Sequence, residues 1–109
     1  MVRITKQISS FTQKEIQELF KSTRLLITQP PLLVRIGTAQ KKVGRLLVVT
    51  PKAVGSAPVR NLLRRRLKAI FYQDQLYTKG KDCIVLARAG ADQLSYQDLQ
   101  AFLRKAIEG

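Results

Sequence analysis

The sequence predicts a single α+β domain. Three observations carry that reading: stretches whose apolar residues recur every three or four positions, runs of branched aliphatics of strand length, and Pro or Gly between them. At 109 residues and 45% hydrophobic content, the chain is long enough to bury one core without disulfides or a structural metal.

Ile16, Leu19 and Phe20 fall on one helical face, and Thr12 followed by Glu15 is a capping-box pattern, so the first helix is expected over about 13 to 22. A short extended piece, Arg24 to Thr28, comes next, and Pro30-Pro31 is read as a boundary. LLVRIGT (32–38) and RLLVVT (45–50) are read as strands that pair as an antiparallel hairpin across the turn from Ala39 to Gly44.

Pro51 and Gly55 break the strand pattern, and Pro58 is acceptable only in the first turn of a helix. Val59, Leu63, Leu67, Ile70 and Phe71 then define the buried arc of a second helix, about 57 to 73. Arg60, Asn61, Arg64, Arg65 and Lys68 are read as the opposite, outward arc. Arg66 lies near the edge of the apolar arc, where its stem can follow the core while the guanidinium reaches outward. Leu62 is expected to be partly exposed.

Asp82 to Arg88 reads as a strand that is almost continuously apolar, hence central, and it completes a strand–helix–strand unit. Ser95 caps a last helix whose buried face is Leu99, Phe102, Leu103 and Ala106.

Charge is segregated along this chain. The net charge is +13, and the run from Leu19 to Gln73 contains twelve Lys or Arg and no Asp or Glu. A solvated helix face mixes signs, whereas a phosphate-binding face is weakened by every carboxylate near it. The composition therefore points to a polyanionic partner, nucleic acid before anionic lipid, with Arg suited to forked phosphate contacts. Apolar runs of four or five residues are too short to span a membrane, and MVRITKQISS lacks the apolar core of a secretory signal. With the single Cys83, a reducing cytoplasmic address is expected.

Chemistry by the protein itself is not expected. There is no His and a single Cys, so ordinary zinc sites are excluded; Cys83 is read as a small buried hydrophobe, and Glu15 and Glu18 as solvated surface charge. No catalytic or metal-ligating residue is assigned.

Lys52-Ala53-Val54-Gly55-Ser56-Ala57-Pro58-Val59-Arg60-Asn61 and the cations after it resemble the bacterial ribonuclease P protein family, whose motif runs approximately S-K-K-x-G-x-A-V-x-R-N-R-x-K-R-R-L-R. The resemblance extends to the first-helix pattern and to the strand from Asp82 to Arg88. It implies a helix, three strands, a helix, a strand and a helix, with a left-handed βαβ crossover in a ribosomal-protein-type two-layer sandwich. It also implies a subunit that docks on a catalytic RNA and assists removal of the 5′ leader from precursor tRNA, with Mg2+ held mainly by the RNA and no obligate protein partner. The alternative is a ribosomal or ribosome-associated RNA-binding protein of related fold.

Carried over by position, Lys52, Arg60, Asn61, Arg64, Arg65, Arg66 and Lys68 would contact the RNA, and Ile16, Phe20, Val34 and Val49 would line the leader cleft. The chain departs from the family pattern at Ala53, at Pro58, at Lys68 and above all at Leu62, where the motif places an Arg. Ile16 and Val34 also stand where the family often has aromatics, which shifts expected leader recognition from base stacking toward charge and aliphatic contact.

Overall fold

The computed structural model describes residues 11–108. MVRITKQISS, the stretch without a signal-like apolar core, lies outside them. The described elements are helix α1 (Gln13–Ser22), strands β1 (Arg24–Gln29), β2 (Leu32–Thr38) and β3 (Leu46–Val49), helix α2 (Ala57–Gln73), strand β4 (Lys81–Ala87) and helix α3 (Tyr96–Glu108), with short 3-10 turns at Lys52–Val54, Leu76–Lys79 and Ala91–Gln93. The helices begin where local chemistry starts them. Glu15 N donates to Thr12 Oγ1 at 3.2 Å while Thr12 N donates to Glu15 Oε1 at 3.0 Å. Ser95 and Asp98 repeat that reciprocal pair at the start of α3, with bonds of 3.1 and 3.0 Å.

The four strands form one mixed sheet in the order β1-β2-β4-β3, in which only β3 and β4 run parallel. This corrects the expected hairpin between 32–38 and 45–50. β2 instead turns back on β1 through Pro30-Pro31, whose peptide bond is cis, so the extended piece at 24–28 is a strand and the prolines mark its turn. The physical reason is where the 39–45 backbone finds its partners. Ala39 N donates to Gly80 O (2.9 Å), Gly44 N to Tyr77 O (2.8 Å), and Arg45 O accepts from Cys83 N (2.8 Å), all in the segment that leads into β4. β4 therefore enters between β2 and β3, the central position its apolar run anticipates.

Strand alternation separates two faces. Leu32, Val34, Leu46, Val48, Cys83 and Val85 pack with Leu63, Leu67, Ile70 and Phe71 of α2 and Leu99, Phe102 and Leu103 of α3 into one core. Full burial of side chains of this size stabilises by about 1.5–3 kcal/mol each. The other face carries α1: Leu19 is buried there, and Ile84 is buried on the parity opposite to Cys83 and Val85. α1 and β1 meet β2 closely at Gly37, where a Cβ would stand 2.4 Å from the Ser22 carbonyl oxygen.

Candidate nucleic-acid interface

α2 is aimed by the residues just before it. Val54 is buried and anchors the 3-10 turn, which leaves Lys52 exposed at the foot of the helix. Gly55 then takes φ 151°, and a Cβ there would meet Val59 Cγ1 at 3.0 Å, so the turn needs a residue without a side chain. Pro58 lies in the first helical turn, where no intrahelical N–H is required. With Leu63, Leu67, Ile70 and Phe71 held against the sheet, the remaining arc is turned outward.

On that arc Asn61 and Arg65 are exposed and Lys68 is half-buried. Arg60 and Arg64, expected on the same arc, stand seven residues before Leu67 and Phe71 and so flank the buried stripe on one side, half-buried; Arg66 flanks it on the other, half-buried in a hollow with Val59, Leu62 and Asp92. Arg64 is oriented by two acceptors, Thr50 Oγ1 at the end of β3 and Asn61 Oδ1 one turn back. The Asn61 amide thereby keeps its NH2 for another acceptor. Arg60 Nε is shielded from solvent and has no hydrogen-bond partner within the described residues. Leu62 is 44% exposed, as its place on the helical wheel requires.

The decisive electrostatic fact concerns pairing. Ion pairs among the described residues join Lys41 and Arg45 to Glu15, Arg45 to Asp82, and Arg104 to Glu108; none involves α2. The α2 cations thus meet like charge along the helix and opposite charge nowhere within 4.0 Å among the described residues.

A second surface lies under α1, and the structure sorts the four residues assigned to it. Ile16, Phe20 and Val49 are half-buried; by strand parity Val49 shares the α1 face with Leu47 and Leu86. Val34 does not belong with them. It is fully buried in the core against α2 and α3, because β2 sends residues 32 and 34 to one face and 33 and 35 to the other. Leu33 and Arg35 take the place expected of Val34. Arg35 is fastened to α1: Nη2 donates to the carbonyls of Phe20 (2.9 Å) and Thr23 (2.5 Å), Nε donates to Thr23 Oγ1 (3.2 Å), and the guanidinium lies 5.6 Å from the Phe20 ring centroid. Phe20 therefore has a cation on one of its faces. The signal that fixes this parity was present in the sequence: Arg35 is the charged residue of an otherwise apolar strand and marks the face away from the core.

The same side holds an ion network that pattern reading missed. Arg45 is 4% exposed and lies between Glu15 Oε2 (3.3 Å) and Asp82 Oδ2 (3.2 Å), with Lys41 Nζ also on Glu15 Oε2 at 2.9 Å. Asp82 accepts in addition from the backbone N–H of Arg45 (3.0 Å) and of Gln40 (3.3 Å), and the Arg45 guanidinium lies 5.4 Å from the Phe11 ring centroid. Glu15 is thus a structural clamp rather than simple solvated charge. The Lys41 ammonium first, then the Thr12 backbone and side chain, hold its carboxyl well below the usual range, at about 2. Burial pushes the Cys83 thiol up, which keeps it protonated and unreactive. Among the described residues, no group of three His, Cys, Asp or Glu side chains comes together to hold a metal.

A profile of the family described as Ribonuclease P matches residues 6–109. Ribonuclease P protein components of Streptococcus pyogenes serotypes M12 and M5 are each 25% identical to the chain over 96 residues, spanning 88% of it and 80% of their own length. The RNase P protein of Staphylococcus aureus superposes with a TM-score of 0.75 at 20% identity and 92% coverage of both chains. That of Thermotoga maritima superposes with a TM-score of 0.73 at 21% identity, over 88% of this chain and 91% of its own. These structural likenesses establish the fold, and the profile match establishes the lineage: the chain belongs to the ribonuclease P protein family, the protein subunit of the ribonucleoprotein endoribonuclease that acts in tRNA 5′ maturation.

Proposed function

We propose that the α2 face from Arg60 to Lys68, with Lys52 at its foot, docks on ribonuclease P RNA, and that the sheet face beneath α1 receives the 5′ leader of precursor tRNA. The observation that supports the dock most strongly is that no ion pair among the described residues neutralises α2. Arg65 and Lys68 supply outward charge, Arg64 is set in place by Thr50 and Asn61, and Arg60 adds a half-buried guanidinium with no ion-pair partner among the described residues. Each phosphate so neutralised releases condensed counterions, which is the source of affinity.

The leader surface works differently. Ile16, Val49 and Leu33 offer aliphatic contact, and Phe20 stacks on Arg35, so a base there meets an apolar floor edged by fixed positive charge. Binding there is sequence-tolerant, because neither aliphatic contact nor charge reads base edges.

Mg2+ needs several oxygen ligands in octahedral array, and the α2 arc carries none of the carboxylates that would supply them. The α2 face does not fit a resident Mg2+, which supports assigning the ion to the RNA. The protein contributes docking and substrate contact, in the cytoplasm where precursor tRNA is made. Reconstitution tests the reading: the protein is inert alone and stimulates precursor-tRNA cleavage by a bacterial ribonuclease P RNA at low Mg2+. Absence of stimulation at every ionic condition would overturn it.

A further inference from the structure

The α2 row does not end at Lys68. Tyr72 stands four residues beyond Lys68 and seven beyond Arg65, which places the three side chains on one face of the helix. It is 41% exposed, a large aromatic surface left open on a helix that buries its other aromatic, Phe71, completely.

The Tyr72 ring is also held in place. Its centroid lies 6.1 Å from that of Tyr77, with the planes 20° apart, an offset-stack geometry. Tyr77 packs against the core, and its carbonyl accepts from Gly44 N at 2.8 Å, so its ring rests on the core and its backbone is tied to the loop that leads into β3. The nearby acid is turned away: Asp74 Oδ2 accepts from Gln100 Nε2 of α3 at 2.9 Å. Tyr96, the other exposed tyrosine, has a structural task, since its hydroxyl donates to Gln73 Oε1 at 3.2 Å and joins α3 to α2. Tyr72 therefore presents a rigid, backed π surface at the end of an unneutralised cationic row.

We propose that Tyr72, backed by Tyr77, is a base-stacking platform that takes one unpaired nucleobase of ribonuclease P RNA at the far end of the α2 dock. The inference rests on the reading of that row as the RNA dock. The chemistry is complementary: Arg65 and Lys68 hold the backbone of a strand, and an aromatic ring one turn further on accepts whichever base that strand leaves unpaired. A cation alone would give no such contact, and an aromatic without flanking cations would have no strand delivered to it.

The test uses the full chain and a ribonuclease P RNA transcript without precursor tRNA, titrated at several salt concentrations and at a temperature where every variant is folded. Tyr72→Ala and Tyr72→Leu should weaken binding roughly 5- to 150-fold with an unchanged salt slope, since stacking is not a phosphate contact. Tyr72→Leu still covers Tyr77, so its loss reports the π surface rather than packing; Tyr72→Phe should bind like the parent. The chain has no Trp, so Tyr72→Trp provides a sole indole whose emission a stacked base should quench. Wild-type affinity in Tyr72→Leu, or an unquenched indole at saturation, overturns the proposal. So does a loss seen only after precursor tRNA is added, which would assign the base to the substrate. Arg65→Ala run in parallel separates the two levels: if it weakens binding and the Tyr72 variants do not, the dock stands and the platform falls. If neither change matters, the dock reading itself fails.

Discussion

Two charged regions of this molecule are built on opposite rules. Under α1, Arg45 and Lys41 each contact a carboxylate, and Arg45 and Asp82 are withdrawn from water. On α2, five cations between Arg60 and Lys68 stand on a helix that carries no carboxylate and enters no ion pair among the described residues. The contrast separates charges committed to the fold from charges left free for a ligand. A buried pair costs desolvation that its partners must offset, so its members are bound to one another and useless to a ligand. An unneutralised surface row repels itself, and a polyanion that docks on it relieves that repulsion.

The largest effect should come from breaking the paired region. Arg45→Ala leaves the fully buried Asp82 without its cation and should destabilise the fold by about 3–5 kcal/mol, read by urea unfolding. Leu67→Ala, on the buried side of α2, should cost about 2–5 kcal/mol, whereas Arg65→Ala on the exposed side should stay within about 0.5 kcal/mol. A stability loss in Arg65→Ala as large as that in Leu67→Ala would erase the division between the two faces of α2.

Leu62→Arg sharpens the comparison from the binding side. The position is 44% exposed, so the substitution should leave stability within about 0.5 kcal/mol while tightening RNA binding in a filter or anisotropy assay. A large drop in melting temperature would show that Leu62 belongs to the core. The smallest effect concerns pH. Glu15 is held at about 2 in the folded chain against 4.5 when free, so in that interval the unfolded state binds more protons. Its contribution to stability is complete above about 4.5 and fades as pH falls toward about 2; Glu15→Gln should flatten that part of the acid unfolding profile.

Much of this architecture is legible in the sequence because it is local. Apolar spacing fixes α1 and α2, Thr12 with Glu15 fixes where α1 begins, and helical geometry alone sets Asn61, Arg65 and Lys68 away from Leu63 and Ile70, while Arg60 and Arg64, seven residues before Leu67 and Phe71, flank the buried stripe. Strand pairing is not local. The turn at 39–44 sends its N–H groups to Asp82, Gly80 and Tyr77, about forty residues on, and nothing in RLLVVT announces that β4 rather than β2 is its neighbour. Family position alone puts Val34 in the leader cleft; strand parity, which the charge of Arg35 marks, puts it in the core. Glu15 reads as solvated charge because its partners, Lys41 and Arg45, approach only once β4 has placed Asp82 beside them.

The central claim, that the α2 charges are phosphate contacts rather than solvated surface, is tested most directly by the salt dependence of binding to ribonuclease P RNA. Arg65→Ala should lower the slope of log affinity against log salt by about 0.7–0.9, while Arg104→Ala, whose guanidinium faces Glu108 at 3.8 Å on α3, should leave it unchanged. Equal slopes for the parent chain and both variants would contradict the account.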